Sequence, residues 1–386
     1  MRRGDSRILT THAGSLPRPK ALVDLFVRKS RREPVDEAAL AAAIEDATRR
    51  VVEKQIEAGI DVGNDGEQPR ESFFTYVQHR MRGFGGQSQR PIMRDIVRYQ
   101  SFLALKLPDF SRTMVSLMNA PQAIAPVEYA DRGPLERDLA ALRRLAGVDG
   151  DSFVECFVTA PSPGIVACAM ENAHYASFDE YFVALADALR VEYEAIVRAG
   201  LVLQIDAPDL AMERHTRFAD RPLEEFLAFV DVVTAAITRA LVNVPPDRVR
   251  LHVCWGNYEA PHDCDVALED IAEHLYRARV GGIVLSMANP RHAHEHRVLV
   301  RHPLPKDWLL VAGVVDPTTN YVEHPEVVAE RLERAAAAVG DPRRVLAGTD
   351  CGFDTSAGLG EVAEEVVWEK LRALSEGARL ASARLF

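Results

Sequence analysis

Eight short runs rich in Val, Ile and Leu, most followed by a helical pattern, constrain the fold of this chain more than any other feature. They fall at 8–11, 60–65, 153–159, 201–206, 249–254, 282–287, 308–314 and 345–349. Most do not alternate apolar with polar residues, which is how strands covered on both faces read. The helices between them carry start and stop signals. Asp36 precedes a stripe of Leu40, Ile44, Ala47 and Val51, and Gly59 ends it. Ser177 and Glu180 form a capping-box pattern ahead of Leu185, Leu189, Tyr193 and Ile196, with Gly200 as the stop. Pro222 opens a helix to about 241, and further helices fit 265–278, 325–339 and 361–381. Strand alternating with helix eight times predicts an α/β fold, a (β/α)8 TIM barrel, with an open doubly wound sheet as runner-up. The stretch from about 70 to 150 is too long for one crossover. It is expected to be an insertion between the second and third strands, within a single barrel domain spanning 1–386.

The formal net charge of −11 argues against binding to nucleic acid or to anionic membranes, both of which need basic patches. No stretch approaches a membrane span, and the charged start Met1-Arg2-Arg3-Gly4-Asp5 does not read as a signal peptide. Five cysteines in 386 residues without an export signal suggest free thiols in a reducing, cytoplasmic setting.

In such barrels chemistry sits at the carboxyl ends of the strands. His12 and Ser15 follow the first run, Asn64 to Glu67 the second, and Asp206 ends the fourth. His252 and Cys254 end the fifth, Asp316 follows the seventh, and Asp350 and Cys351 follow the eighth. His252 and Cys254 are two apart on a strand, so they point the same way. With Cys351 on the same rim they make a candidate His-Cys-Cys zinc site. Three protein ligands with a fourth position open is the catalytic form. The alternative is that Cys254 and Cys351 are ordinary buried cysteines.

Motifs spread nearly end to end carry a family resemblance. They are Thr10 to Arg18, Asn64 to Glu67, Ala160 to Gly164, Glu192-Tyr193 and Leu203 to Asp206, then His252 to Asn257, Ala288 to Glu295 and Gly348 to Gly352. The chain resembles the catalytic barrel of cobalamin-independent methionine synthases, and most of all the short single-barrel members of that superfamily, which include epoxyalkane–coenzyme M transferases. The resemblance implies zinc held by His252, Cys254 and Cys351, with a substrate thiol ionised on it and attacking an alkyl carbon. A free thiol is mostly protonated near neutral pH, and a divalent cation favours the thiolate. By position, Glu67 and Asp206 resemble acids that hold the substrate's polar end, and Ser15 resembles a pocket-lining residue. The plain readings are a helix-end charge for Glu67 and a loop-capping carboxylate for Asp206. His12 faces the mouth or is satisfied by backbone.

The chain also departs from the family. Ser286 stands where a glutamate usually gives a fourth zinc ligand, and Ala207 where a second acid follows Asp206. Asp316 is followed by Pro317-Thr318-Thr319-Asn320 rather than a histidine, and His324 fits better as a helix cap. His292, His294 and His296 read as a polar loop rather than a second metal site. Cys156, Cys168 and Cys264 read as structural. The reading is a zinc-dependent transferase moving an alkyl group, methyl foremost, to a small thiol. The alternatives are a diverged barrel doing decarboxylase or lyase chemistry, and a binding barrel without catalysis. The thiol, the donor and the oligomeric state, a homo-oligomer included, stay open.

Overall fold

Side chains of Leu9, Val62, Phe157, Val284, Val311 and Leu346 meet in one buried cluster, because the runs that carry them curl into a ring. The computed structural model describes residues 1–106, 114–118, 120–147 and 152–386. The strands are β1 (Val62–Gly63), β2 (Met81–Gly85), β3 (Gln122–Tyr129), β4 (Glu155–Pro161), β5 (Val202–Asp206), β6 (Val249–Val253), β7 (Gly282–Ser286), β8 (Leu309–Val315) and β9 (Val345–Thr349). Seven form one parallel sheet in the order β1-β4-β5-β6-β7-β8-β9. The first apolar run supplies the eighth stave. Thr11 N donates to Ala347 O at 2.8 Å and Ala347 N to Leu9 O at 2.9 Å, while Val62 N donates to Thr10 O at 2.9 Å. Those bonds join both sheet edges through 9–11 and close the barrel, as the strand–helix alternation predicts.

A second, larger core lies between the sheet and the surrounding helices, where Leu185, Leu189 and Ile196 of the helix Phe178–Arg198 are fully buried. Asp36 accepts from Ala38 N and Ala39 N, and Ser177 accepts from Glu180 N, so both expected caps form. Glu180 closes its end on Ala176 N rather than on the cap residue. The helix at Pro325–Val339 has the expected bounds, and His324 caps it by accepting from Glu326 N. Two ends move. The helix expected from 265 begins at Leu268, because Asp265 is taken by three histidines and Glu295 Oε1 accepts from Leu268 N instead. The second strand shrinks to two residues, because Asn64 and Asp65 turn the chain by accepting from Gly66 N and Glu67 N.

Between β1 and β4 the chain leaves the barrel, with β2 and β3 pairing antiparallel. Residues 107–113, 119 and 148–151 of the expected insertion lie outside the described residues. Glu192 ties this segment down, accepting from Tyr129 Oη at 2.8 Å and from Arg80 at 3.0 Å. Among the described residues no helix is long and apolar enough to cross a membrane.

Candidate metal centre

β6 ends in His252-Val253 with Cys254 next, and the strand's two-residue period sends His252 and Cys254 to one side. β9 ends just before Asp350-Cys351. One ligand atom from each of His252, Cys254 and Cys351 lies within 4.8 Å of the other two, and all three residues are buried. The two sulfurs are 3.8 Å apart. That is far beyond a disulfide bond of about 2.05 Å. It matches the separation of about 3.8 Å that two sulfurs take on one tetrahedral zinc at bonds of about 2.3 Å. The donor set and its spacing therefore fit zinc. The Cys351 thiol contact draws Cys254 down to about 6 against its burial, with His252 adding to the effect. The same contact raises Cys351 well above the usual thiol range. Burial opposes a charge on His252, but the hydrogen bond to Asp206 and the nearby Cys254 outweigh it and lift the imidazole to about 9. The centre is thus built to hold thiolate beside positive charge.

Asp206 sits behind the imidazole. Its Oδ1 lies 2.9 Å from His252 Nδ1 and also accepts from Gln204 Nε2 at 2.8 Å. A carboxylate on the far nitrogen of a ligating histidine fixes the tautomer, and Nε2, which lies 3.3 Å from Asp350 O, is the nitrogen that would turn to a metal. The sequence reading placed Asp206 at the substrate and missed this contact. The signal for it is register, since Asp206 and His252 are paired neighbours on β5 and β6. Ser286 Oγ donates to Asp350 O at 3.0 Å, so the hydroxyl is spent on backbone. The Asp350 carboxylate accepts from Met287 N, Ala288 N and Asn289 N, which pins the β7 loop to the base of the Cys351 turn.

A cavity of about 230 Å³ opens above these groups, and Ser15, Glu67, Asp206, His252, Cys254 and Cys351 all line it. Glu67 lies on a left-handed backbone at φ +58°. Its Oε1 accepts from Thr159 Oγ1 at 2.9 Å, while its buried Oε2 has no partner. Burial, opposed by Arg70, pushes its carboxyl up to about 7. Gly14 makes room for it: at φ +135°, a Cβ there would lie 2.7 Å from Glu67 Oε1. Ser15 is held against the Cys351 turn, where a Cβ on Gly352 would come within 2.1 Å of its Oγ. His12 does not reach the cavity; its Nε2 lies 2.9 Å from Gln55 Oε1, and Gly14 N donates to its Nδ1. Asp316 is also absent from the lining, its Oδ1 accepting from Thr318 N and Thr318 Oγ1.

A second polar cluster flanks the mouth. His215 Nδ1, His262 Nδ1 and His292 Nε2 all approach Asp265, at 2.8, 2.9 and 2.9 Å. His292 Nδ1 lies 2.8 Å from Glu295 Oε2, and its ring stacks on Trp255 with centroids 4.0 Å apart. Both His292 nitrogens face carboxylate acceptors, so both carry protons and the ring is an imidazolium. Burial opposes that charge, but Asp265 and Glu295 overcome it and hold His292 at about 9. This cluster is a salt-bridged network of loops, as the polar-loop reading of His292 expects. Among the described residues, His252, Cys254 and Cys351 are the one group with metal-ligand spacing.

Fold and site together define a (β/α)8 barrel with an imidazole and two thiols converging at its carboxyl mouth. The chain is similar to several methionine synthases over most of its length. The methionine synthase of Sulfolobus acidocaldarius is 27% identical over 347 residues, covering 89% of this chain and 85% of the relative. That of Saccharolobus solfataricus is 25% identical over 374 residues, covering 96% and 94%. A B12-independent methionine synthase from Shewanella sp. W3-18-1, solved with selenomethionine, superposes with a TM-score of 0.73 at 23% identity, covering 98% of this chain and 99% of that one. A putative vitamin-B12-independent methionine synthase from Listeria monocytogenes gives a TM-score of 0.66 at 20% identity, covering 97% and 98%. No family model matches the chain. The resemblance drawn from the motifs is borne out by these relatives, and the barrel by the solved structures.

Proposed function

We propose that this protein is a zinc-dependent transferase of the methionine-synthase type, moving an alkyl group, methyl foremost, onto a small thiol. The observation that carries the reading is the convergence of His252, Cys254 and Cys351, within 4.8 Å of one another beneath a cavity. These residues would hold zinc, with Asp206 orienting His252, and the ion would supply a charge that keeps an acceptor thiol ionised at neutral pH. The acceptor sulfur attacks the alkyl carbon. The new S–C bond forms as the bond from that carbon to the donor breaks, and the electron pair leaves with the donor. Glu67, with its unpartnered Oε2, suits a cationic end on the acceptor, and Ser15 lines the same pocket. Homocysteine, which the relatives' name implies, has such an end. Ser286 leaves the fourth ligand position to the acceptor or to water. We read residues 1–386 as one such domain, cytoplasmic, acting on small molecules rather than nucleic acid or membrane.

Zinc analysis of protein purified without chelator, with thiol-alkylation assays on the parent and on Cys351→Ser, tests the reading. About one zinc per chain and alkylation lost in the variant support it. A metal-free protein that cannot be reloaded, or unchanged alkylation in the variant, overturns it.

A further inference from the structure

One rung below the metal centre the ring holds a buried arginine. β5 and β6 pair in a register that sets Gln204 beside Arg250 and Asp206 beside His252. The two-residue period of each strand turns both pairs to the same face. Arg250 is 2% exposed and Gln204 fully buried. Burying a cation without a carboxylate beside it is costly. Among the described residues Arg250 makes its hydrogen bonds to no carboxylate. Its Nε donates to Gln204 Oε1 at 2.8 Å, Nη1 to Thr11 Oγ1 at 3.2 Å and Nη2 to His12 O at 3.1 Å. Its guanidinium lies 3.9 Å from the centre of the Phe157 ring. Glu155 and Asp206 act on its charge without a direct bond. Leu9, Val284, Val311 and Leu346 fill the ring with apolar groups, so packing does not call for a cation here.

The bonds of Gln204 show what the cation does. A guanidinium can only donate, so it holds the amide oxygen toward itself and turns the nitrogen away. The two protons of Gln204 Nε2 then go to Ala13 O at 2.6 Å and to Asp206 Oδ1 at 2.8 Å. That same Oδ1 lies 2.9 Å from His252 Nδ1. With the amide reversed, its oxygen would face the carboxylate and Ala13 O, and Asp206 would lose this anchor. Resting on the metal centre of the transferase reading, we propose that Arg250 is a positioning residue for that centre. Through Gln204 it fixes the carboxylate that aims His252.

The test uses Arg250→Met and Gln204→Met in the full chain, each alone and combined with Asp206→Asn. Gln204→Met carries the test should Arg250→Met fail to fold. Zinc affinity is read by competition with a metal-binding dye. Removing a cation near a divalent ion would by charge alone tighten binding. The positioning role predicts the opposite sign, a loss of about three- to tenfold, below the roughly 10–100-fold of a direct partner. It also predicts no further loss when either change is added to Asp206→Asn, since groups acting through one another are not additive. A second reading needs no metal. In the metal-free chain labelled with 15N-histidine, the hydrogen-bonded Nδ1 proton of His252 is assigned by its loss in His252→Gln. It is expected in the parent and shifted upfield in both methionine variants. This arm stands apart from the transferase reading, which the zinc and Cys351→Ser measurements decide. Unchanged or tighter zinc binding in the folded variants, an equal loss in the Asp206→Asn background, or an Nδ1 proton unmoved in them would overturn the proposal.

Discussion

Replacing Asp206 by Asn keeps the side chain's volume and removes the negative charge behind His252. The account predicts a folded protein whose zinc affinity falls roughly 10–100-fold, the usual cost of losing such a partner. Competition with a metal-binding dye measures this, and unchanged affinity would mean the contact is incidental. Ser286→Glu tests the departure on the other side of the centre. It gives up the bond to Asp350 O and puts a carboxylate where the family resemblance implies a fourth ligand. Tighter zinc and slower alkylation are expected, because the carboxylate competes with the acceptor for the open position. Faster alkylation would contradict that. At this scale the convergence of the candidate ligands was legible, since a two-residue period fixes which way His252 and Cys254 point. Asp206 was visible as a rim acid, but its contact with His252 was not. That contact depends on the register between β5 and β6, which is set only when the barrel closes. The bonds that hold Ser15 and Glu67 in place are likewise tertiary.

The loops after β5, β6 and β7 are stitched together by His215, His262, His292 and Asp265, and Asp95 joins the stitch from the helix Arg94–Arg98 through Tyr258 Oη and His262 N. Tyr258 lines the cavity, so the network bears on the pocket's shape. An unperturbed imidazole titrates at 6.5, whereas His292 is raised to about 9 by Asp265 and Glu295. Its folded pKa exceeds its unfolded one. The stability it adds is therefore complete below about 6.5 and lost as pH rises through about 9. A charged ring stacked on Trp255 quenches its fluorescence, so emission is expected to rise with a midpoint near 9. His292→Gln is expected to remove that transition and lower stability at pH 7. A flat titration between pH 7 and 10, or an identical one in the variant, would contradict this role. The sequence expected a helix to start at 265 and offered only a polar loop at His292. Asp265 is a plausible helix cap on local pattern alone, and only the approach of His215 and His292 from other loops, beside the nearby His262, claims it.

The barrel as a whole was the most legible feature, because burial on both faces of a parallel sheet writes itself into most strands as a run rich in Val, Ile and Leu. The closing stave at 9–11 was legible in the same way, although it bonds too briefly to count among the sheet's strands. The path of the chain between β1 and β4 was not legible beyond its length: Leu135, Leu139 and Leu142 of the helix Gly133–Leu145 join the main core, whereas Met93, Ile96 and Leu117 line the cavity. Leu346 packs inside the ring and is 4% exposed. Leu346→Ala is expected to cost about 2–5 kcal/mol in urea unfolding, the range for such truncations. A cost under about 1 kcal/mol would mean the ring's interior is loosely packed.

The most direct measurement is X-ray absorption at the zinc edge on protein loaded with one equivalent of zinc. The account predicts two sulfurs at about 2.3 Å, one imidazole nitrogen at about 2.0 Å and one further light atom, and predicts that added thiol replaces that atom with a third sulfur. A first shell without two sulfurs, or one that an added thiol leaves unchanged, would contradict it.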